Sequence, residues 1–204
     1  MAEKKLDDVY GLDSPEATME FYEGWAGSYD MELAENGYAT PGRCARALRK
    51  RVQDPATPLL DFGCGTGLSG AAFAEAGFTT IDGMDPSEAM LDRAREKDVY
   101  RKLDVMDLDD PAPVAPESYP IIAAVGVIGA GAAPLSTFGM LMEGLQRDGL
   151  LVLSFNDHTL NEPGAKATLN EWLDLGAARL LFSEHGPHLP KEGLESTVYV
   201  IEKA

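Results

Sequence analysis

The sequence has few cysteines, few basic residues and no long uninterrupted hydrophobic run. Its two cysteines, Cys44 and Cys64, form no framework of paired spacings, which predicts a protein of the reducing cytoplasm. The longest apolar stretch, residues 119–135, is interrupted by glycine and proline and falls short of a membrane-spanning helix. The first residues are polar, so no signal peptide is expected. No spacing typical of metal ligands occurs, so no metal is expected either.

Acidic residues outnumber basic residues by 34 to 17, which gives a formal net charge of −17. A field of this sign repels nucleic acid. The expected partner is therefore a small molecule, and neither nucleic acid nor a membrane is expected as a partner. Five basic residues nevertheless crowd into 43–51. A solvated helix face is expected there, and a patch for an acidic substrate is the alternative. Nothing in the sequence indicates the oligomeric state.

The order of the hydrophobic segments predicts an α/β fold. A chain of 204 residues, 45% of them hydrophobic, is long enough for one domain with a sizeable core. Short apolar strands alternate with helical patterns from residue 57 to about 176, which predicts a doubly wound parallel sheet with helices on both faces. One of these helices is predicted from Leu135 to Gln146, and a helix or broken helix is predicted before the sheet, over about 15–35. Two final strands, joined by a loop rich in glycine and proline, are expected to pair as an antiparallel hairpin at one edge. We therefore predict one domain over 1–204, with an α/β core at 56–204 and a helical lid or cap at 1–55.

Three glycines alternate directly after the first predicted strand, at Gly63, Gly65 and Gly67 in the stretch LLDFGCGTGLSG. Ligands of doubly wound sheets bind at the carboxyl ends of the strands, where this loop is expected. Three glycines exceed what a tight turn requires, and they let a ligand approach the backbone without a Cβ in the way. A Walker A phosphate loop is excluded because no Lys-Ser or Lys-Thr pair follows. A frame-shifted match to G-x-G-x-x-G, from Gly65 to Gly70, leaves a nicotinamide-dependent oxidoreductase as an alternative.

Five segments of the chain match a set of known motifs in order. They are FYEGWAGSYDMELAENGY (21–38), DFGCGTG (61–67), GMDPSEAMLDRARE (83–96), MDL (106–108) and LQRDGLLVLSFND (145–157). Together they resemble class I S-adenosylmethionine-dependent methyltransferases, and in particular the small methyltransferase-like proteins of the type encoded in the Williams–Beuren syndrome region. The resemblance implies a Rossmann-like sheet of seven strands, mostly parallel with an antiparallel C-terminal strand. It also implies S-adenosylmethionine as the cofactor, S-adenosylhomocysteine as its product, and a small-molecule methyl acceptor that the sequence does not identify.

The resemblance also assigns roles to individual residues. Asp61 is expected to act on the amino group of the cofactor, directly or through water, and Asp85 to accept hydrogen bonds from both ribose hydroxyls. Asp107 is expected to bind the adenine amino group, with Asp104 as the alternative, and the Leu108 N–H to bind a ring nitrogen. The other residues expected at the cofactor are Gly63, Cys64, Gly65, Gly67, Pro86, Met90, Val125 and Gly126, and Met90 is equally typical of a plain core position.

The aromatic residues Tyr22, Trp25 and Tyr29 lie at helical spacing before the first predicted strand, and are also expected at the cofactor. One interpretation is a structural cap on the hydrophobic end of the sheet. The other is a lid over the methyl-transfer site, because aromatic faces attract a sulfonium as they attract other cations. Closure of such a lid would exclude water from the reacting carbon.

The loop after the fourth predicted strand, GVIGAGAAP, contains no ionisable residue, whereas the relatives often have a histidine there. The catalytic residue is therefore unknown. His158 and Asn156, which follow the fifth strand, are the candidates, and His185 and His188 are placed in the late loop. The bare loop leaves a non-catalytic S-adenosylmethionine-binding protein as a second alternative.

Overall fold

The computed structural model describes residues 21, 23–129, 132–162 and 164–204. Within these residues, seven strands form one sheet. In chain order they are β1 (Leu59–Phe62), β2 (Ile81–Asp85), β3 (Lys102–Val105), β4 (Tyr119–Ala124), β5 (Leu145–Asn156), β6 (Ala178–Leu189) and β7 (Leu194–Lys203). Tyr22 lies outside the described residues, so its predicted place at the cofactor stays a prediction.

The strands lie in the order β3-β2-β1-β4-β5-β7-β6. The first five pair in parallel, and β7 pairs antiparallel with both β5 and β6. The chain starts at β1, moves outward to β3 and then crosses to β4, so the switch point of the sheet lies between β1 and β4. This arrangement confirms the predicted doubly wound sheet with an antiparallel C-terminal strand.

Helices cover both faces of the sheet. In chain order they are α1 (Tyr29–Asn36), α2 (Thr40–Arg49), α3 (Leu68–Glu75), α4 (Glu88–Arg95), α5 (Thr137–Gly144), α6 (Asp157–Leu160) and α7 (Ala165–Asp174), and a 3-10 turn (Pro190–Glu192) follows β6. The apolar face of α2, with Leu48 and Cys44, joins Phe73 of α3 in the core on one face. Phe138 and Leu141 of α5 join the core on the other face. No helix within the described ranges is long and apolar enough to cross a membrane.

Two boundaries differ from the sequence predictions. The predicted late loop is mostly strand, because β6 continues to Leu189 and β7 begins at Leu194. The helix predicted to extend to Gln146 ends at Gly144, because Leu145 already pairs with Tyr119 of β4. The segment predicted as a helix or broken helix over about 15–35 is, in its described part, a helix broken by a turn at 26–28.

Candidate functional site

A cavity of about 460 Å³ opens at the carboxyl ends of β1, β2, β3 and β4. Its size and its place at the switch point are typical of a small-molecule site. The residues predicted for the cofactor that line it are Tyr29, Gly63, Cys64, Gly65, Asp85, Pro86, Met90, Asp107, Leu108, Val125 and Gly126. The described residues Trp25, Asp61 and Gly67 were predicted as well but do not line the cavity.

The three alternating glycines serve different purposes. Gly63, Gly65 and Gly67 all have positive φ angles, of 66°, 53° and 88°, a region that L residues with a Cβ rarely adopt. A Cβ on Gly63 would lie 2.7 Å from both methyl carbons of Val127, and a Cβ on Gly67 would lie 3.0 Å from the Tyr100 ring. A Cβ on Gly65 would meet no described atom within 4 Å. Gly63 and Gly67 are therefore required by the packing of the loop, while a side chain at Gly65, which lines the cavity, would meet open space.

Asp85 at the end of β2 connects the glycine loop to α4. Its Oδ2 accepts a hydrogen bond from the Gly65 N–H at 2.9 Å, and its Oδ1 accepts one from the Ser87 N–H at 3.0 Å. The side chain of Ser87 caps α4 by accepting from the Met90 N–H. Burial raises the pKa of the Asp85 carboxyl above its ordinary value, although both backbone N–H groups favour the ionised form. This carboxylate is thus held in one orientation at the cavity wall.

Asp61 lies beneath the glycine loop and holds two elements against it. Its Oδ2 accepts hydrogen bonds from the hydroxyls of Ser69 on α3 and of Tyr100, both at 2.7 Å. The Tyr100 ring occupies the space left by the absent side chain of Gly70, where a Cβ would lie 2.2 Å from the Tyr100 hydroxyl. Gly70, the third glycine of the frame-shifted dinucleotide match, is therefore explained by packing without a dinucleotide.

Replacement of Asp61 by asparagine is expected to stabilise the protein more at pH 7 than at pH 4. Burial raises the pKa of this carboxyl to about 6, so the folded state binds the proton more tightly than the unfolded state. Stability is then lost as the pH rises from about 4 to about 6, by roughly 3 kcal/mol for this group. Urea unfolding of the wild type and the variant across this range measures the difference.

Asp82 provides the matched control, because it is a buried carboxylate of opposite behaviour. Its burial raises the pKa, but hydrogen bonds from Arg101 and Tyr119 outweigh this and lower it. Asp82→Asn should therefore cost more stability at neutral pH than at acidic pH. A difference between Asp61→Asn and the wild type that does not change with pH would contradict the assigned pKa shift.

The N-terminal segment reaches the glycine loop through Asp30, a residue to which the sequence analysis gave no role. Asp30 at the start of α1 accepts a hydrogen bond from the Thr66 hydroxyl, and its other carboxylate oxygen lies 2.6 Å from the Lys97 ammonium. Lys97 also donates to the Thr66 carbonyl. The neighbouring Tyr29 lines the cavity, whereas Trp25 is buried and packs edge-on against the Tyr29 ring. Three separate parts of the chain thus meet at the outer side of the loop.

The two carboxylates considered for the adenine differ in position. Asp107 and Leu108, which follow β3, are exposed and line the cavity. Asp104 does not line it and pairs with Lys102 on the surface. The structure therefore brings the preferred pair to the cavity, and Asp104 lies away from it.

The candidates for a catalytic base do not lie at the cavity. Asn156 caps α6, because its side-chain oxygen accepts from the backbone N–H of Thr159 at 2.9 Å and from the Thr159 hydroxyl at 3.0 Å. His158 is exposed and does not line the cavity. The predicted loop position of His185 and His188 is wrong, because both lie on β6.

His188 is part of a buried polar network that attaches α2 to the C-terminal hairpin. The Thr40 hydroxyl lies 2.8 Å from His188 Nδ1 and 3.0 Å from the Ser196 hydroxyl. Arg43 donates to the carbonyl of Ser196 and to that of Glu184. Burial and the Arg43 charge lower the pKa of His188 to about 4. Arg43 was expected on a solvated face, but it is buried. Its guanidinium donates hydrogen bonds to backbone carbonyls of the hairpin, which makes this burial possible.

The cavity wall also contains a tyrosine that the sequence analysis did not single out. Tyr38, between α1 and α2, lines the cavity, and its ring packs edge-on against His188. A Cβ on Gly126 would lie 2.8 Å from the Tyr38 hydroxyl oxygen. Gly126 has a φ of 71°. Because it has no side chain, the Tyr38 hydroxyl can lie against the loop after β4. No local sequence signal marks Tyr38, because the contact joins segments far apart in the chain.

The charge of the cavity lining fits a cationic ligand. Asp85, Asp107 and Asp110 line it, and none of the described residues that line it is a lysine, arginine or histidine. Carboxylates in a concave, partly dry site attract a cation and repel phosphates. The sulfonium and the amino group of S-adenosylmethionine fit this lining, and the open space at Gly65 fits a ligand that approaches the backbone closely.

The sheet, its glycine loop and the cavity together define a class I methyltransferase fold. The sequence model of the family described as "Methyltransferase domain" matches residues 37–198. The chain belongs to this family, and its cofactor is S-adenosylmethionine. The resemblance found in the sequence is thereby confirmed.

Curated relatives and solved structures are similar to this chain. Human methyltransferase-like protein 27 is 29% identical over 129 residues, which are 62% of this chain and 53% of that protein. Mouse 18S rRNA (guanine-N(7))-methyltransferase is 43% identical over 61 residues, which are 30% of this chain and 21% of that protein. The chain thus spans about half the length, or less, of the curated relatives it matches. One similar solved structure is the crystal structure of magnesium protoporphyrin IX methyltransferase from Synechocystis PCC 6803 with bound S-adenosylmethionine. It superposes with a TM-score of 0.65 at 18% identity, and the match covers 98% of this chain and 90% of that one. This similarity shows that the two chains share a fold.

Proposed function

We propose that this protein transfers the methyl group of S-adenosylmethionine to a small, uncharged, mainly apolar acceptor. The observation that carries the proposal is the cavity itself. Its glycine loop has open space at Gly65, and its lining contains carboxylates but no basic side chain among the described residues. When bound, S-adenosylmethionine supplies an activated methyl group, so positioning and exclusion of water can provide much of the rate.

The places of residues on the wall support the cofactor contacts that we propose. Asp85 accepts the ribose hydroxyls, while Asp107 and the Leu108 N–H bind the adenine beside Pro86 and Met90. Asp61 does not line the cavity, so it acts across the glycine loop. Its negative charge attracts the amino group, and its bonds to Ser69 and Tyr100 keep the loop in place.

The acceptor class follows from the remainder of the wall. Prolines and methionines form much of it, namely Pro41, Pro111, Pro113, Pro134, Met106 and Met140. Such a surface favours an apolar acceptor by burial, and the carboxylates disfavour an anionic one. Tyr29 and Tyr38 also line the cavity, and we propose that their hydroxyls help to orient the acceptor. Asp110 is a carboxylate that can accept the proton released by a hydroxyl or amine nucleophile.

Nucleic acid is not the proposed acceptor, although one relative is named as an rRNA methyltransferase. The net charge of −17 opposes phosphate binding. The small-molecule acceptor and the two unpaired thiol residues, Cys44 and Cys64, lead us to propose the cytoplasm as the site of action.

Transfer of a labelled methyl group tests the proposed function. The full chain is incubated with methyl-labelled S-adenosylmethionine and with neutral apolar, amine, carboxylate and phosphate-bearing acceptors, and separately with rRNA. Label is expected in one or more neutral acceptors. Transfer to rRNA or to anionic acceptors alone would overturn the acceptor class, and binding of S-adenosylhomocysteine without transfer to any acceptor would favour a non-catalytic binding protein.

The N-terminal segment acts as a lid in this proposal. Asp30 already contacts Thr66 and Lys97 at the glycine loop, and Tyr29 contributes to the cavity wall. Gly24 and Gly27 flank Trp25, and a Cβ on either would meet nothing within 4 Å. The segment therefore has a hinge-like composition at one end and an ionic contact with the loop at the other.

Saturation with S-adenosylhomocysteine is expected to slow hydrogen exchange of the backbone amides in 23–31. It should also change the emission of Trp25, measured in a Trp172→Phe background. Asp30→Asn should weaken the protection a few-fold, because it removes the ion pair with Lys97. Exchange that is unchanged across this segment at saturating ligand would leave only a structural cap.

A further inference from the structure

A second cluster of ligating side chains lies outside the cofactor cavity. Asp157 at the start of α6, His185 on β6 and Glu195 on β7 offer one donor atom each, and these atoms all lie within 4.8 Å of one another. Asp157 and His185 line an open pocket at the end of the C-terminal hairpin, and the Glu195 carboxylate lies beside the His185 ring. Because the three residues come from three elements, no spacing in the sequence marks them.

The distances within the cluster are close to those of ligands around a metal ion. His185 Nε2 lies 3.1 Å from Glu195 Oε2 and 3.8 Å from Asp157 Oδ1. Two donors at the usual Zn–N and Zn–O lengths of a tetrahedral ion are about 3.4 Å apart. A hydrogen on Nε2 can bond to Glu195, but the distance to Asp157 is too long for a hydrogen bond.

The other ring nitrogen of His185 is oriented as metal-bound histidines usually are. His185 Nδ1 lies 3.0 Å from the hydroxyl oxygen of Thr197, a buried residue of β7. When Nδ1–H donates to this hydroxyl, the lone pair of Nε2 points to the two carboxylates. A cation between them would also relieve their repulsion in a protein of net charge −17.

We propose that Asp157, His185 and Glu195 bind one divalent transition-metal ion, with zinc as the best match. One imidazole and two carboxylates form a mixed nitrogen and oxygen donor set, which suits zinc better than magnesium or calcium. The pocket is open enough for water to complete the coordination.

Binding of the ion would connect α6 to the hairpin. Thr159 of α6 lies against the loop after β4, where a Cβ on Gly129 would clash with its side chain. That loop supplies Val127 and Ala132 to the cofactor cavity. The ion would therefore stabilise the loop after β4, which forms part of the cavity wall, without contacting the cofactor.

Calorimetric titration of the chelator-treated full chain with zinc chloride tests the proposal. We expect one zinc ion per chain with micromolar or tighter affinity, a thermal midpoint that rises with zinc, and a weaker response to magnesium. Cobalt should give the visible absorption of a tetrahedral site. His185→Asn and Glu195→Gln should each weaken zinc binding by at least about tenfold, and circular dichroism reports whether each variant folds.

His158→Asn is the matched control. His158 is an exposed histidine that follows Asp157 on α6, and it is not part of the cluster. Its zinc affinity should equal that of the wild type. Saturation with S-adenosylhomocysteine during the titration separates this site from the carboxylates of the cavity. Zinc binding weaker than micromolar, or equal binding by the wild type and folded His185→Asn, would overturn the proposal.

Discussion

Asp85→Ala is expected to weaken the binding of S-adenosylhomocysteine at least a hundredfold. The ionised carboxylate would accept hydrogen bonds from both ribose hydroxyls, and each such charged hydrogen bond contributes roughly 1.5–3 kcal/mol. The backbone contacts with Gly65 and Ser87 hold it in place before the ligand arrives, so little of this energy is spent on ordering it. Isothermal titration calorimetry of the purified variant measures the loss directly.

The pH dependence of S-adenosylhomocysteine binding is an independent test of the role of Asp85. Burial raises the pKa of Asp85, so this carboxyl takes up a proton at a higher pH than an exposed aspartate does. The protonated form is a poorer acceptor of hydrogen bonds from the ribose hydroxyls than the carboxylate. Affinity should therefore fall as the pH is lowered through this raised pKa, and the fall should be smaller in Asp85→Ala.

Two further variants separate a lost ligand contact from a damaged fold. Asp85→Asn keeps one acceptor oxygen and should lie between the wild type and Asp85→Ala. Asp104→Ala removes an exposed carboxylate on neighbouring β3 that does not line the cavity, and it should bind as the wild type does. Asp85→Ala that binds within twofold of the wild type would show that Asp85 does not hold the ribose.

Gly65→Ala and Gly63→Ala are expected to fail in different ways. At Gly65 the new Cβ meets no described atom, so the cost in stability is that of a left-handed residue, about 1–2 kcal/mol. We expect the same methyl group to obstruct a cofactor that approaches the backbone at Gly65, so binding should weaken by more than about tenfold. At Gly63 the methyl group would overlap both methyl carbons of Val127. Strain and overpacking should then cost about 3 kcal/mol of stability or more.

The double variant Gly63→Ala/Val127→Ala serves as the control for the second case. Removal of the two Val127 methyl groups should restore part of the stability that Gly63→Ala loses, while the penalty of the positive φ remains. Urea unfolding and calorimetry on the same samples separate the two effects. If Gly65→Ala binds S-adenosylhomocysteine as tightly as the wild type, the middle glycine is not there for a ligand.

The sheet could be predicted because its signals are local. Strand-length apolar runs alternate with capped helices, as at Ser87, where the side chain begins α4. The extent of the hairpin could not be predicted in this way. Gly186 and Pro187 suggest a loop, but β6 is the edge strand of the sheet, where proline is tolerated because one side of the strand needs no partner.

Predicted residues lie at the cavity where a motif places them directly after a strand, as for Asp85 and Asp107. The residues that were missed reach the site from elsewhere. Tyr100 enters from a loop and fills the space left by Gly70 and Gly83, and Asp30 contacts the glycine loop across the chain. Contacts of this kind arise from tertiary packing, which neither periodicity nor motif spacing encodes.

One titration tests the central claim of a methyltransferase cofactor site most directly. The full wild-type chain is titrated in a calorimeter with S-adenosylhomocysteine and, in separate experiments, with NADH and with NADPH. We predict saturable binding of one S-adenosylhomocysteine per chain and no measurable binding of either nicotinamide cofactor. Binding of NADH or NADPH with no binding of S-adenosylhomocysteine would contradict the account and return the glycine loop to the dinucleotide alternative.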